Sequence, residues 1–324
     1  MTVDELMNRT RGFQESRAIL TGVELNVFEY VGDGATAEHV AERIGANPRS
    51  TAMLLNALVA CEVLEKAGQI YRNTEASRTL IGPGRMAQMH TVHLWNTWST
   101  LTEAVRTGTC VPEPEGAKRH VPWTEAFIAA MHHLASGQAA AVAQAIGLDG
   151  VRRVLDVGGG SGAYSIAFAQ ENPELRAEIL DLEPVTAIAK RHIEAAGLAG
   201  RIRTRAGDLR FDPLGHSEYD LVYVSAINHM LDEEENRDLI RRCFQACAPG
   251  GRLVIREFVL NSDRTAPKHA ALFALNMLVG TRAGNSYSED EYRDWLAQAG
   301  FKDVAHVRLP GTSDLIIGVR GRHG

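Results

Sequence analysis

Residues 153–165, RVLDVGGGSGAYS, decide how this chain folds. An apolar β-type run ends at Val157, and Gly158, Gly160 and Gly162 follow before the helical GAYSIAFAQ. Glycine lets a backbone turn tightly and lets a ligand approach with no Cβ in the way. With Ala163 the same residues satisfy the loose dinucleotide pattern G-x-G-x-x-G/A. Alone, the loop does not separate one nucleotide-like cofactor from another, and a purely structural glycine turn is the plain alternative.

Working outward from the loop, strand and helix patterns alternate. RAEILDL (176–182), IRTRAGD (202–208), YDLVYVSAI (219–227) and GRLVIREFVL (251–260) read as strands. PVTAIAKRHIEAAG, EENRDLIRRCFQACA and SEDEYRDWLAQAG read as helices, the last with Ser288 and Glu291 in capping-box spacing. This alternation predicts an α/β fold with a doubly wound, Rossmann-like parallel sheet over 150–324. KDVAHVRL and SDLIIGVRG are joined only by Pro310–Thr312, too short for a crossover, so these last strands must pair antiparallel.

Acidic residues at the strand ends narrow the cofactor. Asp156 stands two residues before the first glycine, where dinucleotide folds usually carry an apolar residue or glycine. Asp181 ends the next strand, placed to accept hydrogen bonds from ribose hydroxyls, and Asp208 ends the one after, suited to an adenine amino group. A carboxylate at Asp156 suits a cationic amino-acid tail better than a pyrophosphate. S-adenosylmethionine is the cofactor that fits.

The front of the chain is different. FQESRAILTGVELNVFEYV, TAEHVAERIG and NPRSTAMLLNALVACEVLEKAG read as helices, and GQIYRNT as a turn and strand, the outline of a winged-helix module over 1–85. Its third helix has Arg49 near its start but is otherwise Met53, Leu54, Leu55, Leu58 and Val59. A DNA reader needs Lys and Arg around that helix, so protein–protein packing is favoured. Residues 86–149 are strongly helical, in MAQMHTVHLWNTWSTLTEAVRTG and PWTEAFIAAMHHLASGQAAAVAQAIGL, with the irregular TCVPEPEGAKRHVP between them. Trp95, Trp98, Phe127 and Met131 there fit a core and fit the lining of an apolar pocket equally well.

Composition excludes several classes. With 45% hydrophobic and 23% charged residues and a net charge of −6, the 324-residue chain has the make-up of an ordinary globular protein rather than of a nucleic-acid binder. No apolar run reaches membrane-spanning length, and the N-terminus is polar and acidic rather than signal-like, so a cytoplasmic protein without membrane attachment is expected. Cys61, Cys110, Cys243 and Cys247 lack C-x-x-C spacing and read as reduced thiols. The histidine pairs in HTVH (His90, His93) and MHH (His132, His133) have no further ligand pattern around them, so no metal is expected.

DVGGGSGAYS, ILDLEP, AGDLRFDPLG, YDLVYVSAINHMLDEEENRDLIRRC and APGGRLVIREFVL resemble, in order, the motifs of class I S-adenosylmethionine-dependent methyltransferases. With the winged-helix front end, nearly the whole chain resembles the small-molecule O-methyltransferases of the plant caffeate and bacterial polyketide-tailoring type. The resemblance implies a dimerisation domain over 1–85, a helical linker contributing to a substrate pocket over 86–149, and a catalytic domain over 150–324. It implies a homodimer acting on a small, aromatic, hydroxylated metabolite, with no nucleic-acid partner. Asp156, Gly158, Gly160, Asp181, Leu182, Asp208, Leu209 and Ser225 become the cofactor-binding candidates. Trp95, Phe127, Met131, Asn228, Asn276 and Tyr287 become the substrate candidates, with Met277 and Asn285 close to where the family closes its pocket.

His229, where the fourth strand gives way to a loop, matches the family's general base. Methyl transfer from a sulfonium is an in-line displacement, and a phenol with a pKa near ~10 is mostly protonated at neutral pH. Imidazole is the side chain suited to take that proton. Glu257 matches a family acid beside the base. Two positions depart from the plant members: Met230 and Leu231 replace their aspartate and tryptophan, and Ser286 replaces a second acid. Three alternatives stand beside this reading. One is a C-, N- or S-methyltransferase working by proximity, another a non-catalytic S-adenosylmethionine-sensing regulator, and the third an NAD-dependent oxidoreductase.

Overall fold

A computed structural model describes residues 1–112 and 123–322, and the chain divides into two compact units, Met1–Asn96 and Thr97–Gly324. Most of the irregular stretch expected at 109–122 lies outside the described residues. The division falls inside the helix Pro83–Trp98, later than the boundary expected at 85.

In the first unit, short capped helices follow one another: Thr36 caps Ala37–Ile44 and Asn47 caps Pro48–Ala60, whose proline takes the first helical turn. A hairpin of β1 (Leu64–Ala67) and β2 (Ile70–Asn73) follows, and Ala35 bridges to Tyr71 beside it. This is the winged-helix outline. Leu55 and Leu58 of the third winged helix are fully buried with Phe28, Val40 and Tyr71, while Met53 is exposed. Asn73 anchors the wing: its amide donates to the carbonyls of Phe28 (2.8 Å) and Gly32 (2.9 Å). The helical pattern of 13–31 is interrupted, because Asn26 takes the left-handed region (φ +59) and separates Phe13–Glu24 from Val27–Val31.

The second unit is built on a seven-stranded sheet, β3 (Arg153–Val157), β4 (Arg176–Asp181), β5 (Ile202–Ala206), β6 (Tyr219–Ser225), β7 (Cys247–Glu257), β8 (Lys302–Val307) and β9 (Asp314–Val319), in the order β5-β4-β3-β6-β7-β9-β8. β3 to β7 are parallel, and β9 pairs antiparallel with both β7 and β8, as the short connection requires. Strand order reverses between β3 and β6, which opens a crevice at the carboxyl ends of those neighbours. Both faces are covered. Leu155, Val157, Val222, Leu253 and Trp295 pack on one, and Val154, Ile179, Leu221, Tyr223 and Val254 on the other. The helix Ala139–Ile146, expected within a linker, buries Val142 and Ile146 in the second of these cores. A helix at Lys268–Gly280, to which the sequence pattern assigned no element, packs against the turn Asn228–Met230 that follows β6.

Among the described residues all four cysteines are free, Cys243 and Cys247 buried, Cys61 and Cys110 half-exposed. Burial pushes the Cys243 thiol up to about 12 and raises Cys247 further. In native protein at mild alkaline pH, an aromatic disulfide reagent should therefore modify Cys61 and Cys110 quickly and the other two only after unfolding in denaturant. Four fast thiols in native buffer would contradict this packing.

Candidate active site

The loop after β3 faces the crevice. Gly158, Gly160 and Gly162 have φ of +70, +58 and +79, a region that costs other residues about 1–2 kcal/mol. A Cβ on Gly158 would overlap Ile227, whereas one on Gly160 would meet nothing within 4 Å and would point into open space. The N–H of Gly160 donates to Asp181 Oδ2 (2.8 Å), and the N–H of Leu182 donates to Asp181 Oδ1 (2.7 Å). Asp181 thus ties the glycine loop to the end of β4, and each carboxylate oxygen keeps a second lone pair for a hydroxyl. Leu182 beside it is 52% exposed.

At the end of β5 the N–H of Asp208 donates to Asp212 Oδ2 (2.7 Å), and Asp208 Oδ1 accepts from the N–H of Arg210 (2.9 Å). Asp212, unremarked in the sequence, shapes this turn. A Cβ on Gly207 would lie 2.8 Å from its carboxylate, which explains the glycine there. Leu209 is half-buried against the core, near Gly158. Ser225 ends β6, half-buried.

Asp156 lies beneath the loop, 1% exposed, and its carboxyl accepts a hydrogen bond from Ser165 Oγ (2.7 Å). Burial, only partly offset by that bond and reinforced by the charge of Asp181, pushes its pKa up to about 7. Burial also raises Asp181, against the two N–H groups that favour its charge. The edge of the sheet therefore holds two carboxyl groups short of positive charge.

After β6 the chain leaves the sheet at Ala226, a non-glycine residue in the left-handed region (φ +56), and enters a 3₁₀ turn at Asn228–Met230. That turn carries His229 to the end of β7, where its Nδ1 lies 2.8 Å from Glu257 Oε2, both residues buried. A carboxylate can only accept, so Nδ1 carries the proton and the neutral ring presents Nε2 as an acceptor. Phe273 stands edge-on to the imidazole at 4.9 Å and packs on Phe258 at 4.1 Å. The N–H of Asn285 donates to the His229 carbonyl (2.9 Å), and a Cβ on Gly284 would overlap that oxygen. Ser286, in the same loop, is 1% exposed, and its hydroxyl has no partner among the described residues.

The substrate candidates are dispersed. Asn228 is fully buried, and its amide donates to Asn236 Oδ1 (2.7 Å), while Asn236 donates to the carbonyls of Asn228, Leu231 and Asp232. Tyr287 is buried and donates its hydroxyl to the Leu231 carbonyl (2.6 Å). Both therefore hold the turn that carries His229. Asn276 Oδ1 accepts from Trp98 Nε1 (2.8 Å). Phe127 packs with Ile128, Val185 and Ile188, and Met131 is half-buried on the same helix, Trp123–Ser136. Trp95 packs in the core of the first unit, 5.6 Å from the Arg17 guanidinium. The aromatic pair Phe258 and Phe273 went unnoticed in the sequence, since nothing in their spacing separates them from core. No group of His, Cys, Asp and Glu suited to a metal occurs among the described residues.

Comparison with known proteins decides the family. The profile of the O-methyltransferase domain matches residues 98–302, and that of the O-methyltransferase dimerisation domain matches 7–83. The chain belongs to the O-methyltransferase family. It is 35% identical to 3-hydroxy-5-methyl-1-naphthoate 3-O-methyltransferase of Streptomyces sahachiroi, over 97% of this chain and 94% of that one. Its fold superposes on PigF solved with SAH (TM-score 0.88, 26% identity, 99% and 100% covered). The human N-acetylserotonin methyltransferase in complex with SAM is similar (TM-score 0.85, 26% identity, 99% and 98% covered). The chain is an S-adenosylmethionine-dependent O-methyltransferase, and the NAD-dependent oxidoreductase reading falls.

The residues present fit that cofactor. A buried carboxyl short of positive charge would repel a pyrophosphate and welcome a cation, and Gly160 leaves the loop open where the ligand must approach. Asp156, the glycine loop, Asp181 and Asp208 are the groups that would hold it. A cation bound near Asp156 lowers its pKa from about 7, so a proton leaves when the cofactor binds near neutral pH. Calorimetric titrations of S-adenosylmethionine at pH 7, in buffers of different ionisation enthalpy, should show proton release, and Asp156→Asn should abolish it. Equal apparent enthalpies in all buffers would count against this role for Asp156.

Proposed function

We propose that this O-methyltransferase acts on a phenolic hydroxyl of a small aromatic metabolite, with His229 as the general base. The observation that carries the reading is the buried Nδ1 contact of His229 with Glu257, 2.8 Å long, at the carboxyl edge of the sheet. Glu257 holds the ring in one tautomer and stabilises the imidazolium that forms when Nε2 takes the acceptor's proton. S-adenosylmethionine, when bound, would supply a methyl group on a sulfonium; a phenolate oxygen attacking that carbon in line would form the O–C bond as the S–C bond breaks, with S-adenosylhomocysteine as the neutral leaving group. The base matters because a neutral phenol is a poor nucleophile for that displacement. Phe258 and Phe273 give the base an apolar, aromatic surround that suits a flat acceptor. The naphthoate-methylating relative acts, by its name, on an acceptor of this kind.

The wider assignment goes with this reading. A homodimer is supported by the match of residues 7–83 to a dimerisation domain, and a role without nucleic acid by the apolar third winged helix. Among the described residues no helix is long and apolar enough to cross a membrane, and the four unpaired cysteines suit a cytoplasmic setting.

Incubation with phenolic and naphtholic acids should give products heavier by one CH₂, with the methyl on oxygen. Replacing His229 by Ala or Gln should lower turnover by roughly 10²–10⁴-fold while changing cofactor affinity by less than about twofold. Unimpaired turnover in His229→Gln would reduce the residue to a support of the turn and leave catalysis to orientation alone.

A further inference from the structure

One polar cluster beside the cofactor loop is not used by the chemistry above. His132, on the helix Trp123–Ser136, has Nδ1 2.8 Å from Ser161 Oγ, and Ser161 is a buried member of the glycine loop. The same imidazole stacks on His192, with ring centroids 3.9 Å apart and planes 19° from parallel. His192 belongs to the helix Glu183–Ala195, which starts directly after Asp181 and Leu182. One ring therefore touches both segments that carry cofactor residues, the loop after β3 and the helix after β4.

We propose that His132 is a positioning residue for the cofactor, a latch that holds the glycine loop through Ser161 and the helix after Asp181 through His192. A loop with three residues of positive φ is stiff in each local choice, yet it has few side chains to fix its place. Its turn closes through the Gly162 N–H to the Gly159 carbonyl (2.9 Å), and Asp181 holds only one end. His132 fixes the other end, through the hydroxyl of the one serine in the loop.

The latch works with neutral rings. Burial is the main reason that both imidazoles lie below their ordinary value, and nearby charge adds to it: His192 and His133 act on His132, and Arg191 acts on His192. Glu183, Lys190 and Glu194 of the same helix are exposed. Of the other helices packed on Trp123–Ser136, Ala139–Ile146 has no titratable side chain and Ala163–Glu171 has Tyr164 and Glu171. Asp156 and Asp181 of the loop are engaged by Ser165 and by backbone N–H groups. For groups with lowered pKa, the neutral arrangement persists to a pH below the ordinary imidazole value and is lost as pH falls through the lowered one. A first proton there places charge in the stack and opposes a second.

The test is calorimetric titration of S-adenosylhomocysteine between pH about 8 and about 5.5, spanning the ordinary imidazole pKa near ~6.5, with KM and kcat measured alongside. His132→Ala should weaken cofactor binding by about 3–10-fold, the worth of one hydrogen bond, with kcat at saturating cofactor within about twofold of wild type. His132→Asn, which can place a polar atom where Nδ1 stands, should recover most of the affinity. The weakening at acid pH should be smaller in His132→Asn and in His192→Phe than in wild type. Asp156 also weakens binding on acidification, but that contribution survives in these variants, so the difference between them and wild type is the measure. Wild-type affinity in His132→Ala would overturn the latch, as would an unchanged pH dependence in both other variants. If the alanine variant does not fold, as judged by its melting curve, those two decide the matter.

Discussion

At the end of β7 a glutamate is 2% exposed, where an unpaired charge costs several kcal/mol. Glu257 is tolerable there because His229 faces it at 2.8 Å, with its own backbone N–H a longer 3.4 Å from the other oxygen. Much of the surrounding structure serves that pairing. Ala226 takes up left-handed strain so that the chain can leave β6 and turn under β7. Asn236 holds the turn by three carbonyls, Tyr287 by one, and the loop of Gly284 and Asn285 closes on the His229 carbonyl. The helix Lys268–Gly280 then supplies Phe273 against the ring. The proposed base role asks for an imidazole held in place, and here the holding is done mostly by buried neighbours: Asn228, Asn236 and Tyr287.

Strand order makes the two halves of the site meet. β3 and β6 are adjacent although two strands come between them in sequence, so the glycine loop and the His229 turn rise from neighbouring strand ends. Side chains from β4 and β5 reach the crevice from one side, and Glu257 on β7 reaches it from the other. The proposed cofactor residues and the proposed base thus lie on opposite sides of the switch point.

What the sequence made legible follows from how local each signal is. The glycine loop, the acids at the strand ends and the short Pro310–Thr312 link are local patterns, and each one constrains the backbone directly. His229 was readable for the same reason, as a polar residue at the end of an apolar run. Asn228 and Tyr287 drew attention as polar residues near the pocket, but their partners, Asn236 and Leu231, are known only once the turn is folded. Phe258 and Phe273 looked like any apolar residues until the helix Lys268–Gly280 brought them to the imidazole. His132 and His192 lie 60 positions apart in the chain, and no periodicity links them. The pair in MHH had no further ligand pattern around it in the sequence, and the structure gives one of its members a serine and a second histidine.

Two buried carboxyl groups at this edge are treated in opposite ways, and the difference is chemical. Glu257 has a hydrogen-bond partner within the protein, the Nδ1 of His229 at 2.8 Å. Among the described residues Asp156 has the neutral Ser165 hydroxyl for a partner, and burial, with Asp181 adding repulsion, pushes its carboxyl up to about 7. A charge left without a partner inside the protein is a charge waiting for a ligand. On the proposed mechanism the first carboxyl keeps its partner throughout, and the second takes its partner from a ligand. A lysine placed beside Asp156 would satisfy that carboxyl from within the chain and compete with a cationic cofactor for it.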